Sequence, residues 1–220
     1  MTWLQFPRSD KEAWGLRSGA WGSRNHSGRF AVWHTTGNGP IRRWRKNKDR
    51  FADPFTAALW LYTKAMRAGP HFVICGETGR IRQIAPLSAV AWHVGRRGAW
   101  RYKEGYNPPD WWRERWPELE GPQDLAQGLC WRGGSCNEWS VGIEIVPSRK
   151  KGGVWSNACW QTVRLLSGTL EREIGIPLFR GFHLGHSDAH PWARTAKGGR
   201  PWDPPPNLWT PEIHYWFCKN

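Results

Sequence analysis

Val141-Gly142-Ile143-Glu144-Ile145-Val146 is the stretch that decides the fold. It is apolar and β-branched except at Gly142 and Glu144. A short, nearly unbroken run of this kind suits a strand covered on both faces, as in an α/β sheet. Downstream, Trp160, Val163, Leu166, Leu170 and Ile174 recur at helical spacing and stop at Gly175, predicting an amphipathic helix. Leu178 to His186 then reads as a returning strand. Upstream, Phe30-Ala31-Val32-Trp33-His34 is another short apolar strand. Asp53-Pro54 places a capping side chain before a proline at the first helical position. Phe55, Ala58, Leu59, Tyr62 and Met66 follow at helical spacing until Gly69-Pro70. His71 to Cys75 and Ile81 to Ile84 read as a hairpin turning through Glu77-Thr78-Gly79-Arg80. Strands alternating with helices predict an α/β fold: one domain with a mixed central β-sheet flanked by α-helices.

That domain is expected over 30–204. Residues 1–29 read as a loop-like N-terminal arm, and 205–220 as a tail packing on the body. The basic run Arg42 to Arg50 reads as a solvated loop. Residues 98–134, with Pro108-Pro109, Trp111-Trp112 and Trp116, read as an insertion holding one or two short helices. Its tryptophans are expected to form a lid or a wall-binding ridge.

The 220 residues suffice for one sizeable core. Lys plus Arg is 32 against 18 Asp plus Glu, a formal charge of +14 that favours polyanionic partners. Nineteen tryptophans exceed what one core needs, so some are expected at the surface, where indoles stack on sugars or sit at lipid interfaces. The five cysteines are irregularly spaced and form neither a disulfide framework nor a C-x-x-C zinc motif. Cys130 and Cys136 stand equally as a pair or as free thiols. Residues 1–10 carry no basic segment leading into an apolar one, and no run approaches membrane-spanning length. The expectation is a chain made in the cytoplasm without a secretory signal.

Chemistry-bearing residues gather at predicted strand ends, where α/β sheets place their sites. His34 closes the first strand. Gly185-His186-Ser187-Asp188 closes the last, and Trp202-Asp203-Pro204 follows a basic, glycine-containing segment. Two neutral imidazoles and a carboxylate make the ligand set of a catalytic zinc ion with one position left open. His183 and His190 are rivals for ligation. Glu144, a carboxylate in an apolar strand, carries a desolvation cost unless it is bonded, paired or near a metal. Burial would raise its pKa and suit it to proton transfer.

The order of these segments resembles the zinc-dependent N-acetylmuramoyl-L-alanine amidases of the second type, which share a fold with peptidoglycan recognition proteins and short phage endolysins. The matching pieces are Trp33-His34-Thr35-Thr36-Gly37, His71-Phe72-Val73-Ile74 with Gly79-Arg80-Ile81 and Gln83, and Ala91-Trp92-His93-Val94-Gly95. Asn137 to Glu144, Gly185-His186-Ser187-Asp188 and Asp203-Pro204 complete the set. The resemblance implies that His34, His186 and Asp203 bind Zn²⁺ and that Glu144 is the catalytic carboxylate. It implies a substrate contact for His93, with Thr35, Trp92 and Lys197 beside it. The implied reaction cleaves the amide between N-acetylmuramic acid and L-alanine in bacterial peptidoglycan. The chain departs from the pattern in the spacing from His186 to Asp203, which is longer than usual. It departs again at position 201, where Pro replaces the family's lysine. Arg200 is the expected substitute at the oxyanion, with Lys197 as its rival.

Charge, size and the missing signal fit a phage or prophage endolysin that reaches the wall after release. They also imply attraction to an anionic envelope, no obligatory nucleic acid and a monomer. Two other readings compete with this one. A non-catalytic peptidoglycan-binding module would lack metal ligands, all three of which are present here. A basic nucleic-acid-binding protein with stacking tryptophans would not require a His-His-Asp set in this order.

Overall fold

The computed structural model describes residues 21–23, 28–36, 39–66, 68–94, 107–119, 136–149, 154–189, 191, 194 and 203–204. The strands are β1 (Trp21–Ser23), β2 (Phe30–Thr35), β3 (Phe72–Cys75), β4 (Ile81–Gln83), β5 (Ala89–Ala91), β6 (Ser140–Val146) and β7 (His183–Gly185). The helices are α1 (Gly39–Lys46), α2 (Pro54–Trp60), α3 (Asp110–Arg115), α4 (Cys136–Trp139), α5 (Asn157–Ile174) and α6 (His186–Ala189). Five strands form one sheet in the order β4-β3-β6-β2-β7. The pairs β3–β6, β6–β2 and β2–β7 are parallel, and β3–β4 is an antiparallel hairpin. This is the expected mixed sheet flanked by helices.

Period-two alternation along β6 divides the molecule. Val141, Ile143 and Ile145 join Ala31, Trp33, Phe72 and Ile74 in a core packed against Cys159, Val163, Leu166 and Leu170 of α5. That helix starts at Ser156, whose side chain accepts the Cys159 N–H, and stops at Gly175, whose φ of 71° suits a residue without Cβ. Ser140, Gly142 and Glu144 therefore point to the opposite face. There, Phe55, Ala58 and Leu59 of α2, with Tyr62 just beyond it, cover Val73, Cys75 and Val146. A third cluster covers Phe30, Val32 and Leu184 with Trp112, Trp116, Trp139 and Ala189. Because β2 and β6 are parallel and in register, His34 lies opposite Glu144 on this second face.

Four local expectations need correction. The basic run is helical from Gly39 to Lys46, because Pro40 and Ile41 are buried and anchor it while the cations face outward. The guanidinium groups of Arg43 and Arg50 each sit 4.6 Å from the Trp60 ring centroid, organising part of this surface by cation–π contact. The last strand is only His183–Gly185, since Arg180–Phe182 makes a 3-10 turn and His186 opens α6. Part of the N-terminal arm is a strand: Trp21–Ser23 pairs antiparallel with β5. Finally, Trp112 and Trp116 are buried rather than displayed as a ridge. Their indole N–H groups donate to the backbone oxygen and Oδ1 of Asp188, so a polar anchor draws α3 inward.

The helix begun at Asp53 continues past Trp60 as a π-helical turn over Leu61–Ala65. Asp53 caps it by accepting from the Thr56 N–H at 2.8 Å. Cys136 is buried, with its Sγ 3.9 Å from Ser140 Oγ, whereas Cys130 lies outside the described residues. Among the described residues, no helix is long and apolar enough to cross a membrane.

Candidate metal and catalytic centre

The carboxyl ends of the parallel strands deliver three side chains to one point. His34 comes from the end of β2 and His186 from the turn that ends β7. Asp203 is tied down by three bonds. Its backbone oxygen accepts from the Ser187 N–H at 2.8 Å, Oδ1 accepts from the Thr35 N–H at 2.8 Å, and Oδ2 lies 2.9 Å from His186 Nδ1. The same Oδ2 is 3.8 Å from His34 Nδ1. All three residues are buried, and their ligand atoms lie within 4.8 Å of one another.

This donor set fits a divalent metal. Burial, then the neighbouring His34, pushes His186 down to about 3, so its imidazole is neutral and has a lone pair to give. Burial alone would push the Asp203 carboxyl up, but the His186 and His34 imidazoles outweigh it and hold it below the usual range. A neutral His186 imidazole and an ionised carboxylate thus share a buried pocket with the His34 ring. His183, a rival ligand by sequence, instead sits in β7, where its Nδ1 accepts from Trp33 Nε1 at 3.3 Å. His190 lies outside the described residues.

Glu144 is the carboxylate beside this set. Burial, then the charge of Asp203, raises its pKa well above the ordinary value, while a hydrogen bond from Tyr62 and the charge of Arg194 oppose the rise. Its Oε2 is shielded from solvent and has no hydrogen-bond partner among the described residues. A buried acceptor left open in this way is poised to take a proton.

The remaining expected residues are spread differently. Thr35 orients Asp203 through its backbone N–H, and its hydroxyl donates to the Ile145 oxygen. Trp92 is half-buried next to His93. His93 stands behind His34, with its Nδ1 2.9 Å from His34 Nε2 and its Nε2 2.9 Å from Ser140 Oγ. Arg200 and Lys197 lie outside the described residues.

Two groups at the centre were not foreseen. Tyr62 appeared only as an apolar-face residue of a helix. The π-helical turn and burial bring its hydroxyl to Glu144, and the clue was that a buried phenol needs a polar partner. Arg194 places Nε 3.3 Å from His186 Nε2 and 3.7 Å from Asp203 Oδ2. It lies between the two ligands in sequence, and a cation within that loop was the available signal.

A family model described as N-acetylmuramoyl-L-alanine amidase matches residues 24–206. The fold is similar to that of a selenomethionine derivative of AmpD, with a TM-score of 0.52 and 18% identity, covering 98% of this chain and 96% of that one. A crystal structure of AmpDh3 from Pseudomonas aeruginosa gives a TM-score of 0.48 at 18% identity, covering 99% of this chain and 66% of that one. No curated protein matches the sequence.

Proposed function

The chain belongs to the N-acetylmuramoyl-L-alanine amidase family, and from that premise we propose that it uses a zinc ion held by His34, His186 and Asp203 to cleave the amide between N-acetylmuramic acid and L-alanine of peptidoglycan. The observation that carries this reading is the convergence of two buried imidazoles and an ionised carboxylate beside Glu144.

Zinc at this site would act as a Lewis acid and bring the pKa of water to about 7. The protein's own groups do the rest. Glu144 takes a proton from the attacking water as the new C–O bond forms, and returns it to the departing amine as the C–N bond breaks. Its raised pKa suits both transfers. The Tyr62 hydroxyl holds the Glu144 carboxylate in place. Arg194 is the described cation nearest the ligands and takes the oxyanion role expected of Arg200 or Lys197. Its planar guanidinium offers a fork of N–H donors that suits an oxyanion.

Intact wall is the favoured substrate. The net charge is +14, and Arg42, Arg45, Lys46, Lys48 and Arg50 are exposed on and just after α1. Such a surface raises encounter with an anionic polymer and weakens with salt. The reading extends to an endolysin-like protein, acting as a monomer on the wall after release from a cytoplasm. The test is release of free stem peptide from purified sacculi. Activity should vanish with a chelator, return with zinc, and fall by roughly 10²-fold or more in Glu144→Gln. Full activity under chelation removes the metal from the mechanism. Wall binding that survives high salt removes the electrostatic part, and wall binding without turnover would restore the non-catalytic reading.

A further inference from the structure

His93 has both ring nitrogens engaged inside the protein, and the direction of each bond can be derived. Ser140 Oγ lies 2.6 Å from the backbone oxygen of Cys136. A carbonyl oxygen only accepts, so the Ser140 hydroxyl hydrogen is committed there. The same Oγ, 2.9 Å from His93 Nε2, must then accept, which puts a proton on His93 Nε2. For a neutral ring, His93 Nδ1 is left as a lone pair. It lies 2.9 Å from His34 Nε2, so that nitrogen is the donor. In the neutral, metal-binding form of His34 the bare nitrogen is then Nδ1, the one that faces Asp203 Oδ2. A backbone carbonyl thus sets, three groups away, which nitrogen of His34 can bind a metal.

The surroundings are built around this ring. Asn137 is fully buried and its Oδ1 accepts the backbone N–H of both His93 and Val94, at 3.0 and 2.8 Å. Gly142 leaves the room the ring occupies: a Cβ there would fall 2.3 Å from His93 Cγ and 2.4 Å from Cδ2. The His34 and His93 rings meet edge to face, with centroids 5.1 Å apart. The sequence blocks around Trp92-His93-Val94 and Asn137 to Glu144 thereby share one purpose.

We propose that His93 is a positioning residue for the metal ligand His34, acting with Ser140, Asn137 and Gly142 to fix its tautomer and ring orientation, in place of the substrate contact expected from sequence. Outer-shell partners of ligating histidines commonly hold the second ring nitrogen in this way, and their loss costs about 10–100-fold in metal affinity. The inference rests on the zinc reading above.

The test measures zinc affinity by competition with a chromophoric chelator, alongside melting temperature, for wild type, His93→Gln, His93→Leu and Ser140→Ala. The amide of Gln can accept from His34 and donate to Ser140, whereas Leu can do neither. His93→Leu should bind zinc about 10–100-fold more weakly, and His93→Gln should recover most of that loss at a similar melting temperature. Equal zinc affinity in wild type and His93→Leu, with only KM for substrate changed, would overturn the proposal and return His93 to the groove. Equal losses in Gln and Leu variants that follow their melting temperatures would also overturn it, leaving a packing role. A second arm needs no variant to fold: ¹⁵N imidazole NMR of chelator-treated wild type should find the His34 proton on Nε2. A proton on Nδ1 overturns the scheme. Wild type that binds no zinc while showing the expected tautomer would sink the zinc reading and leave the proton path standing.

Discussion

At the residue scale, the centre depends on a few groups whose burial sets their protonation. Tyr62 illustrates how one bond tunes another group. Its hydroxyl bonds to Glu144 and lowers that carboxyl's pKa against the stronger effect of burial. In Tyr62→Phe the acidic limb of the pH–kcat/KM profile should move to higher pH, and turnover at neutrality should fall roughly tenfold. An unmoved profile would place Tyr62 outside the machinery. His183 makes a separate point about stability. Burial pushes its pKa from 6.5 down to about 4. Below pH 6.5 the unfolded chain binds this proton and the folded chain does not, so stability is full above 6.5 and declines as pH falls towards 4. The loss approaches about 3 kcal/mol. His183→Asn keeps an acceptor for Trp33 and removes the titrating group. Chemical denaturation across this range should show a shallower pH slope in the variant, and identical slopes would contradict the assignment.

At the scale of elements, the local periodicities were readable and the polar anchors were not. The strand at Val141–Val146, the capped helix after Asp53 and the helix ending at Gly175 follow from residue pattern alone, because each buries an apolar stripe and carries its own stop signal. The helix at Gly39–Lys46 was hidden because only Pro40 and Ile41 are buried in a run that otherwise reads as charge. The packing of α3 was hidden because its anchor is a long-range polar cluster. Arg115 Nη1 lies 2.6 Å from Asp188 Oδ1, and Asp188 Oδ2 accepts the Gly185 N–H at 2.8 Å. That carboxylate shapes the turn carrying His186. Arg115→Ala removes the guanidinium from this buried ion pair, a loss of about 3–5 kcal/mol. Denaturant titration should show a loss of that size, and a change below 1 kcal/mol would mean that the Trp116 indole and the Gly185 N–H suffice for the carboxylate.

At the scale of the whole molecule, the candidate ligands are 152 and 17 residues apart along the chain (34 to 186, then 186 to 203), and the sheet brings them together. Parallel pairing of β2 with both β6 and β7 puts all three strand ends on one side. Residue types and order suggested this grouping. Strand register, the reach of Tyr62 and the burial of His93 could not be read from it, because each depends on which chain segments pack across the face bearing Glu144. The most direct measurement is zinc content after reconstitution and dialysis, by elemental analysis, for wild type and the single variants His34→Ala, His186→Ala, Asp203→Ala and Glu144→Gln. The account predicts about one zinc per chain in wild type and in Glu144→Gln, with the metal lost from the other three. A full complement of zinc in any of those three, or none in wild type, would contradict it.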